Sequence, residues 1–407
     1  MRDQVDSSAS APRRTFLRLL ALGSGALAAC RQKAAQLPSL LGAPISAYGE
    51  RSPFVRSVRH VFENNRTPEQ AASLTPLADI YGIITPSSLH FERHHSGVPK
   101  IDPAEHRLMI HGMVDRPLMF TMEELQRLPN MSRIHFVECS GNSNTGWRPT
   151  PRSDVQATHG LTSCSEWTGV KLSLLLEEVG VQAGASWILA EGGDPAKMTR
   201  SIPLAKAMDD AMVVYAQNGE PIRPEQGFPL RLFLPGWEGN ANVKWLRRLK
   251  VVDQPYMTRE ETSKYTDLMP DGRARQFTLV MDAKSVVTHP SGGQRLAGAG
   301  FHEITGIAWS GRGRVARVEV TTDGGATWKD AALQEPVLSR AHTRFRLPWA
   351  WDGSDATIAS RVTDETGYVQ PTRAELVAVR GLNSNYHNNM IQAWRVKGDG
   401  TVEYAVI

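Results

Sequence analysis

The chain has 407 residues, too many for one ordinary domain, so two domains with flanking segments are expected. Hydrophobic residues make up 41% and charged residues 22%, a balance that fits a soluble globular protein with a substantial core. The formal charge is +4, and Arg2, Arg13, Arg14 and Arg18 set against Asp3 and Asp6 put half of it in residues 1–30, which excludes a nucleic-acid footprint but leaves small anions open as ligands.

Residues 12–29 read PRRTFLRLLALGSGALAA. Paired arginines before an aromatic, a leucine and a modest apolar run resemble a twin-arginine export signal. The apolar run is broken by Arg18 and too short for a comfortable membrane span. The expectation is a leader over 1–30 cleaved near Cys30, although Leu27-Ala28-Ala29-Cys30 also looks like a lipoprotein site. This route typically serves proteins that fold around a cofactor before export, here into the periplasm.

Besides Cys30 there are Cys139 and Cys164. None lies in Cys-x-x-Cys or Cys-x-x-Cys-His, which disfavours zinc ribbons, thioredoxin-like motifs and covalent c-type haem. A Cys139–Cys164 disulfide stays open at this point, though a chain this large does not need one.

Residues 31–99 are expected to form an N-terminal arm, irregular over the Pro-, Ala-, Ser- and Arg-rich part, with regular structure starting at Arg107. Leu108, Ile110 and Gly112 alternate with other residues as in a strand, and Thr121 with Glu124 three residues on forms a capping-box signature for a short helix. Ile134, Phe136 and Glu138 predict a strand running into Cys139. Gly169–Gly180 predicts a helix with Leu172, Leu175, Leu176 and Val179 on one face, and Trp187–Glu191 and Pro229–Leu234 read as strands. Residues 100–255 are therefore an α+β domain.

After Asp271-Gly272 the texture changes to short alternating runs joined by Gly and Asp turns, with Val318 and Val320 ahead of Asp323-Gly324-Gly325 as a hairpin signal. Helical periodicity is absent, and an immunoglobulin-like β-sandwich over 272–380 is expected. Residues 381–407 are a polar C-terminal tail with no pattern that predicts its structure.

The segment HFVECSGNSNTGW, 135–147, carries the chemistry. A cysteine at a strand-to-turn junction followed by Ser140-Gly141-Asn142 can approach a ligand closely, and a soft thiolate suits a soft or high-valent metal. A buried structural cysteine fits that segment equally well. The motifs FERHHSGVP (91–99), ECSGN (138–142), RSIPLAKAMD (200–209), NGEPIRPEQGFPLRLFLPGWEGNANVKWLRRLK (218–250) and TRFRLPW (343–349) tip the balance. Their order resembles that of the sulfite oxidase family of molybdopterin oxidoreductases, over about residues 75–380. HSGVP, HGLTSCSEWTGV (159–170) and ALQEPVLSRAHTRFRLPWAWDG (332–353) are similar to its sulfane dehydrogenase branch.

The resemblance implies a sulfite-oxidase-type molybdopterin domain followed by an immunoglobulin-like dimerisation domain. Cys139 would be the protein ligand of molybdenum. Arg93, Tyr265 and Arg346 would border the substrate, two arginines suiting a doubly charged oxyanion through their bidentate forks. His95, Arg231, Asn242 and Lys244 would hold the pterin and its phosphate. The family often has histidine where Gln226 and Asn242 stand, and animal members have arginine where Asn144 stands, so a less positive pocket is expected, suited to a protein-bound sulfur. Cys164 reads as structural, and His94 and His159 are not assigned to metal.

The implied partners are a c-type cytochrome as electron acceptor, a sulfur-carrier protein as substrate, and a second subunit in a homodimer or hetero-oligomer. Two other readings are a reductase of the same family acting on sulfoxides of protein methionine, which would lack the second β-domain, and a non-catalytic binding protein built on the β-sandwich.

Overall fold

The computed structural model describes residues 42, 44–62 and 67–407, so the leader and Cys30 lie outside the described residues. Among the described residues regular structure begins at His60, well before Arg107. Strands His60–Phe62, Ala72–Leu74 and Glu92–Arg93 form an antiparallel sheet that pairs Ala72 with Arg93 and Ser73 with Glu92. Strands of two or three residues are too short to display a period of two, which hides them from a reading of periodicity.

The first domain contains two five-stranded sheets. In one, Glu220–Pro221, Met212–Gln217, Thr162–Lys171 and Asn130–Glu138 follow in that order, with Arg231–Phe233 also paired to Met212–Gln217. In the other, Leu118–Thr121, Arg107–Gly112, Leu246–Val252, Trp187–Gly192 and Thr199–Pro203 lie side by side, the second and third of them parallel. The capping box at Thr121 and Glu124 forms as expected and starts the helix Met122–Arg127.

The helix expected over Gly169–Gly180 is shorter, running Leu172–Val179. Gly169, Val170 and Lys171 instead complete a strand, paired with Val214, Val213 and Met212 in turn. Glycine is required there because a Cβ would lie 2.1 Å from the Val213 carbonyl oxygen. The helix buries Leu172, Leu175, Leu176 and Val179 against Leu108, Ile110, Val213 and Leu249 and ends at Gly180 with φ 67°. Full burial of each such side chain stabilises by about 2 kcal/mol.

The second domain is a β-sandwich. One sheet holds Lys284–His289, Gly300–Trp309, Thr343–Trp351 and Ala332–Gln334; the other holds Lys329–Asp330, Val315–Thr321, Ala356–Asp364, Ala393–Val396 and Val402–Ala405. Residues 381–407 thus supply two strands of the second sheet. A helix, Arg373–Arg380, precedes them under its own capping box at Thr372 and Glu375, within the stretch where no helix is expected. Along Thr343–Trp351 inward and outward positions alternate, placing Phe345, Leu347 and Trp351 in the core. That core is continuous with the first domain through Phe136, Val155 and Cys164.

Cys164 sits directly opposite Phe136, whereas Cys139 lies three residues farther along that strand. At about 3.4 Å per residue this separates the cysteines by roughly 10 Å, beyond disulfide reach. Both are free, and burial pushes the Cys164 thiol up to about 12, as for an inert core residue.

Candidate active site

A single pocket of about 660 Å³, mouth included, gathers Arg93, His95, Cys139, Arg231, Asn242, Lys244 and Tyr265. Cys139 enters it from the end of the strand Asn130–Glu138. Its N–H donates to Leu161 O at 3.0 Å and its carbonyl accepts from Asn142 N–H at 2.8 Å, so the chain turns at once. The loop bearing Gly239 packs against this turn, with Gly239 N–H donating to Glu138 O at 2.6 Å. Only glycine fits, since a Cβ would meet that oxygen at 2.9 Å. Burial pushes the Cys139 thiol up in pKa, opposed by the Gly141 backbone and the charge of Arg93.

The small N-terminal sheet delivers Arg93 and, just past it, His94 and His95. His95 Nε2 lies 2.9 Å from the Tyr265 hydroxyl, and burial raises the phenol pKa. His94 is engaged at both ring nitrogens, by Glu92 Oε2 at 2.9 Å and Lys244 Nζ at 2.9 Å.

Deeper in, two cations have no carboxylate within ion-pairing distance among the described residues. Arg231 is 3% exposed, its Nε has no partner, and burial pulls its pKa down to about 9. Gln226 holds it by accepting from Nη1 at its backbone oxygen, at 3.2 Å. Lys244 donates to Glu225 O at 3.0 Å, and burial together with Arg231 pulls it down to about 7.

Behind Asn240, which lines the pocket, lies a buried network whose members no sequence motif assigned to the site. Arg200 Nη2 donates to Glu238 Oε1 at 3.1 Å and its Nε stands 3.6 Å from Glu261. His387 Nε2 meets Glu238 Oε2 at 3.0 Å, and Asn240 Nδ2 donates to Glu238 Oε2 at 2.9 Å and Ser140 Oγ at 3.0 Å. Burial alone would raise Glu238, but Arg200 and His387 outweigh it and hold the carboxyl at about 2. The available signal was a lone glutamate in the Gly-, Pro- and Trp-rich loop PGWEGNAN, which demands a buried partner.

Three expectations need correction. Arg346 is not in the pocket: it is an exposed position of Thr343–Trp351, because its neighbours Phe345 and Leu347 take the inward parity. Asn242 lines the pocket but is not a free cofactor donor. Its Oδ1 accepts from Leu234 N–H at 2.7 Å and its Nδ2 donates to Trp237 O and Glu238 O, clamping the loop instead. Asn144 is exposed and outside the lining.

The family model for the oxidoreductase molybdopterin binding domain matches residues 95–260, and that for the Mo-co oxidoreductase dimerisation domain matches 275–394. The solved structure of the sulfane dehydrogenase SoxCD from Paracoccus pantotrophus is 47% identical with a TM-score of 0.88, covering 91% of this chain and 96% of that one. The chain belongs to the sulfite oxidase family of molybdopterin oxidoreductases. Mitochondrial sulfite oxidase of Mus musculus is 30% identical over 76% of this chain and 62% of its own length. The NADH nitrate reductase of Ulva prolifera is 31% identical over 68% of this chain. The chain spans 35% of that reductase's length, so it matches only part of these curated relatives.

The pocket fits the family's molybdenum–pterin cofactor. Arg231 is buried and Lys244 half-buried, neither has a carboxylate partner among the described residues, and a phosphate-bearing group would supply what they lack. Cys139 would offer the soft sulfur ligand, and coordination would remove the proton that burial alone retains.

Proposed function

We propose that the chain is the molybdenum subunit of an exported sulfane or sulfite dehydrogenase, which adds a water-derived oxygen to a sulfur substrate and passes the electrons to a c-type cytochrome. The supporting observation is one cavity shared by the Cys139 thiol, Arg93 and the His95–Tyr265 pair, in a chain 47% identical to a sulfane dehydrogenase. When bound, the cofactor supplies two-electron redox and oxygen-transfer chemistry.

The protein's part is positioning and charge. Cys139 provides a thiolate held by a tight turn. Arg93 places positive charge toward that sulfur, where negative charge develops on the substrate oxygens. The Tyr265 hydroxyl, oriented by His95, hydrogen-bonds at the reacting centre.

The substrate favoured is a sulfane sulfur carried on a partner's cysteine. A free dianion binds best between several unpaired guanidinium forks. Here Arg93 lines the pocket toward Cys139, whereas Arg200 lies behind the lining and is paired to two carboxylates and Arg346 lies on the outer surface, so the reactive end of the pocket suits a less charged group. The sequence holds no Cys-x-x-Cys-His, so this reading requires a separate electron acceptor. The leader at 12–29 supports export to the periplasm, and the match to a dimerisation domain supports a homodimer or hetero-oligomer.

The test is steady-state assay of the purified, cofactor-loaded chain with cytochrome c, on sulfite and on a persulfide of a small carrier protein. Higher kcat/KM on the carrier-bound sulfur is expected. Active preparations without molybdenum and pterin, or turnover only as a sulfoxide reductase, contradict the reading.

A further inference from the structure

The strand that delivers Cys139 ends on a carboxylate that faces neither solvent nor the pocket. Glu138 is fully buried, and its partner is Lys284 of the second domain, 1% exposed, with Nζ 2.6 Å from Oε1. Asn142 Nδ2 donates to the same oxygen at 2.9 Å, and Trp309 Nε1 donates to Oε2 at 2.7 Å. Lys284 also reaches Ser143 Oγ at 3.1 Å, where the chain leaves the cysteine turn with φ 56°. His387 N–H donates to Ser140 O at 2.7 Å, and Ser143 Oγ donates to Asn388 O at 2.8 Å. Lys284, Trp309, His387 and Asn388 therefore grip the turn from the second domain and the segment that follows it.

A buried ion pair is a poor source of stability. Apolar residues of similar volume often serve as well or better, because desolvation offsets the attraction. What the pair does supply is direction: a salt bridge with both carboxylate oxygens engaged by fixed donors favours one geometry. Its place immediately before Cys139 makes that direction the one in which the sulfur is presented.

We propose that Lys284 is a positioning residue which, through Glu138, fixes the orientation of the Cys139 sulfur, so that the second domain completes the metal site of its own chain. The inference rests on the functional reading above, since it requires Cys139 to be a metal ligand. It separates two tasks in the pocket: Arg231 and Lys244 retain the cofactor, while Glu138 and Lys284 aim the ligand at it.

Combining Glu138→Gln with Lys284→Met removes both charges and leaves no buried ion unpaired. The holoenzyme is assayed for molybdenum and pterin per chain, the Mo(V) electron paramagnetic resonance spectrum, kcat and KM. The double variant is expected to keep cofactor content and KM within about twofold of the unaltered protein, as its retention groups are intact, while the spectrum shifts and kcat falls at least about tenfold. A loaded double variant with unaltered spectrum and kcat overturns the proposal. If that variant does not fold, Ser143→Ala removes the lysine's second contact without stranding a charge. A shifted spectrum then supports the proposal, and an unshifted one overturns it. Absence of molybdenum from the active, unaltered protein defeats the functional reading itself, an outcome distinct from a loaded but indifferent variant.

Discussion

His95 Nε2 and the Tyr265 hydroxyl meet at 2.9 Å, joining positions 170 residues apart. One follows the small N-terminal sheet, and the other lies beyond the helix Arg259–Thr262, with φ 50°. A non-glycine residue held there costs on the order of 1 kcal/mol or more and persists only where its surroundings over-determine it. They do: the Arg200 guanidinium stands 5.3 Å over the ring and Tyr386 packs 5.1 Å away.

Tyr265→Phe keeps that packing and removes the hydrogen bond. A net loss of about 1 kcal/mol in transition-state positioning lowers kcat by about five- to tenfold, with the thermal midpoint nearly unchanged. Steady-state kinetics beside a melting curve check this. An unchanged kcat removes the phenol from the mechanism.

Arg231→Met deletes a buried guanidinium that has no carboxylate partner among the described residues. Cofactor-free protein is expected to be at least as stable as before, because the desolvation penalty goes with the charge. Pterin content after purification should fall at least about tenfold, the effect of losing a charge-assisted contact worth about 1.5–3 kcal/mol. Calorimetry and pterin fluorescence report the two halves. Full retention of pterin contradicts the assignment.

Lys244 gives a pH dependence of definite sign. Its pKa in the folded chain is about 7 against an ordinary 10.5. Between these values the unfolded chain binds a proton that the folded one lacks, so in cofactor-free protein this lysine's contribution to stability rises with pH. A bound phosphate favours the charged ammonium, so cofactor binding takes up a proton and weakens as pH rises above about 7. Pterin retention measured from pH 6 to about 9 should decline in the unaltered protein and flatten in Lys244→Met. A flat profile in both refutes the role.

Arg93 and Arg346 make a matched pair. Arg93→Ala is expected to raise KM about tenfold by removing a charge from the pocket, in line with a lost charged contact. Arg346→Ala, at an exposed strand position, should leave kcat/KM and stability within about 0.5 kcal/mol of the unaltered protein. A large defect in Arg346→Ala would restore it to the site.

Local signals in the sequence translated directly into structure. The capping box at Thr121 and the strand leading to Cys139 are readable because the partners are a few residues apart. The same signature at Thr372 and Glu375 marks Arg373–Arg380, although the strands around it drown the helical pattern. That Cys139, Arg93, His95, Tyr265, Arg231 and Lys244 would line one pocket was legible through family motifs alone. Arg346 was misplaced because strand facing turns on a parity of one residue, and Phe345 decides it. Glu138 and Lys284, 146 residues apart, and Glu238 with His387, 149 apart, are juxtaposed only by the docking of the second domain and its final strands. Nothing in their local sequence announces the pairing.

The central claim is that Cys139 is bonded to molybdenum. X-ray absorption at the molybdenum edge, on the unaltered protein and on Cys139→Ser, tests it most directly. The account predicts one sulfur neighbour fewer in the variant, with turnover lost and pterin retained by Arg231 and Lys244. An identical sulfur shell in both proteins contradicts it.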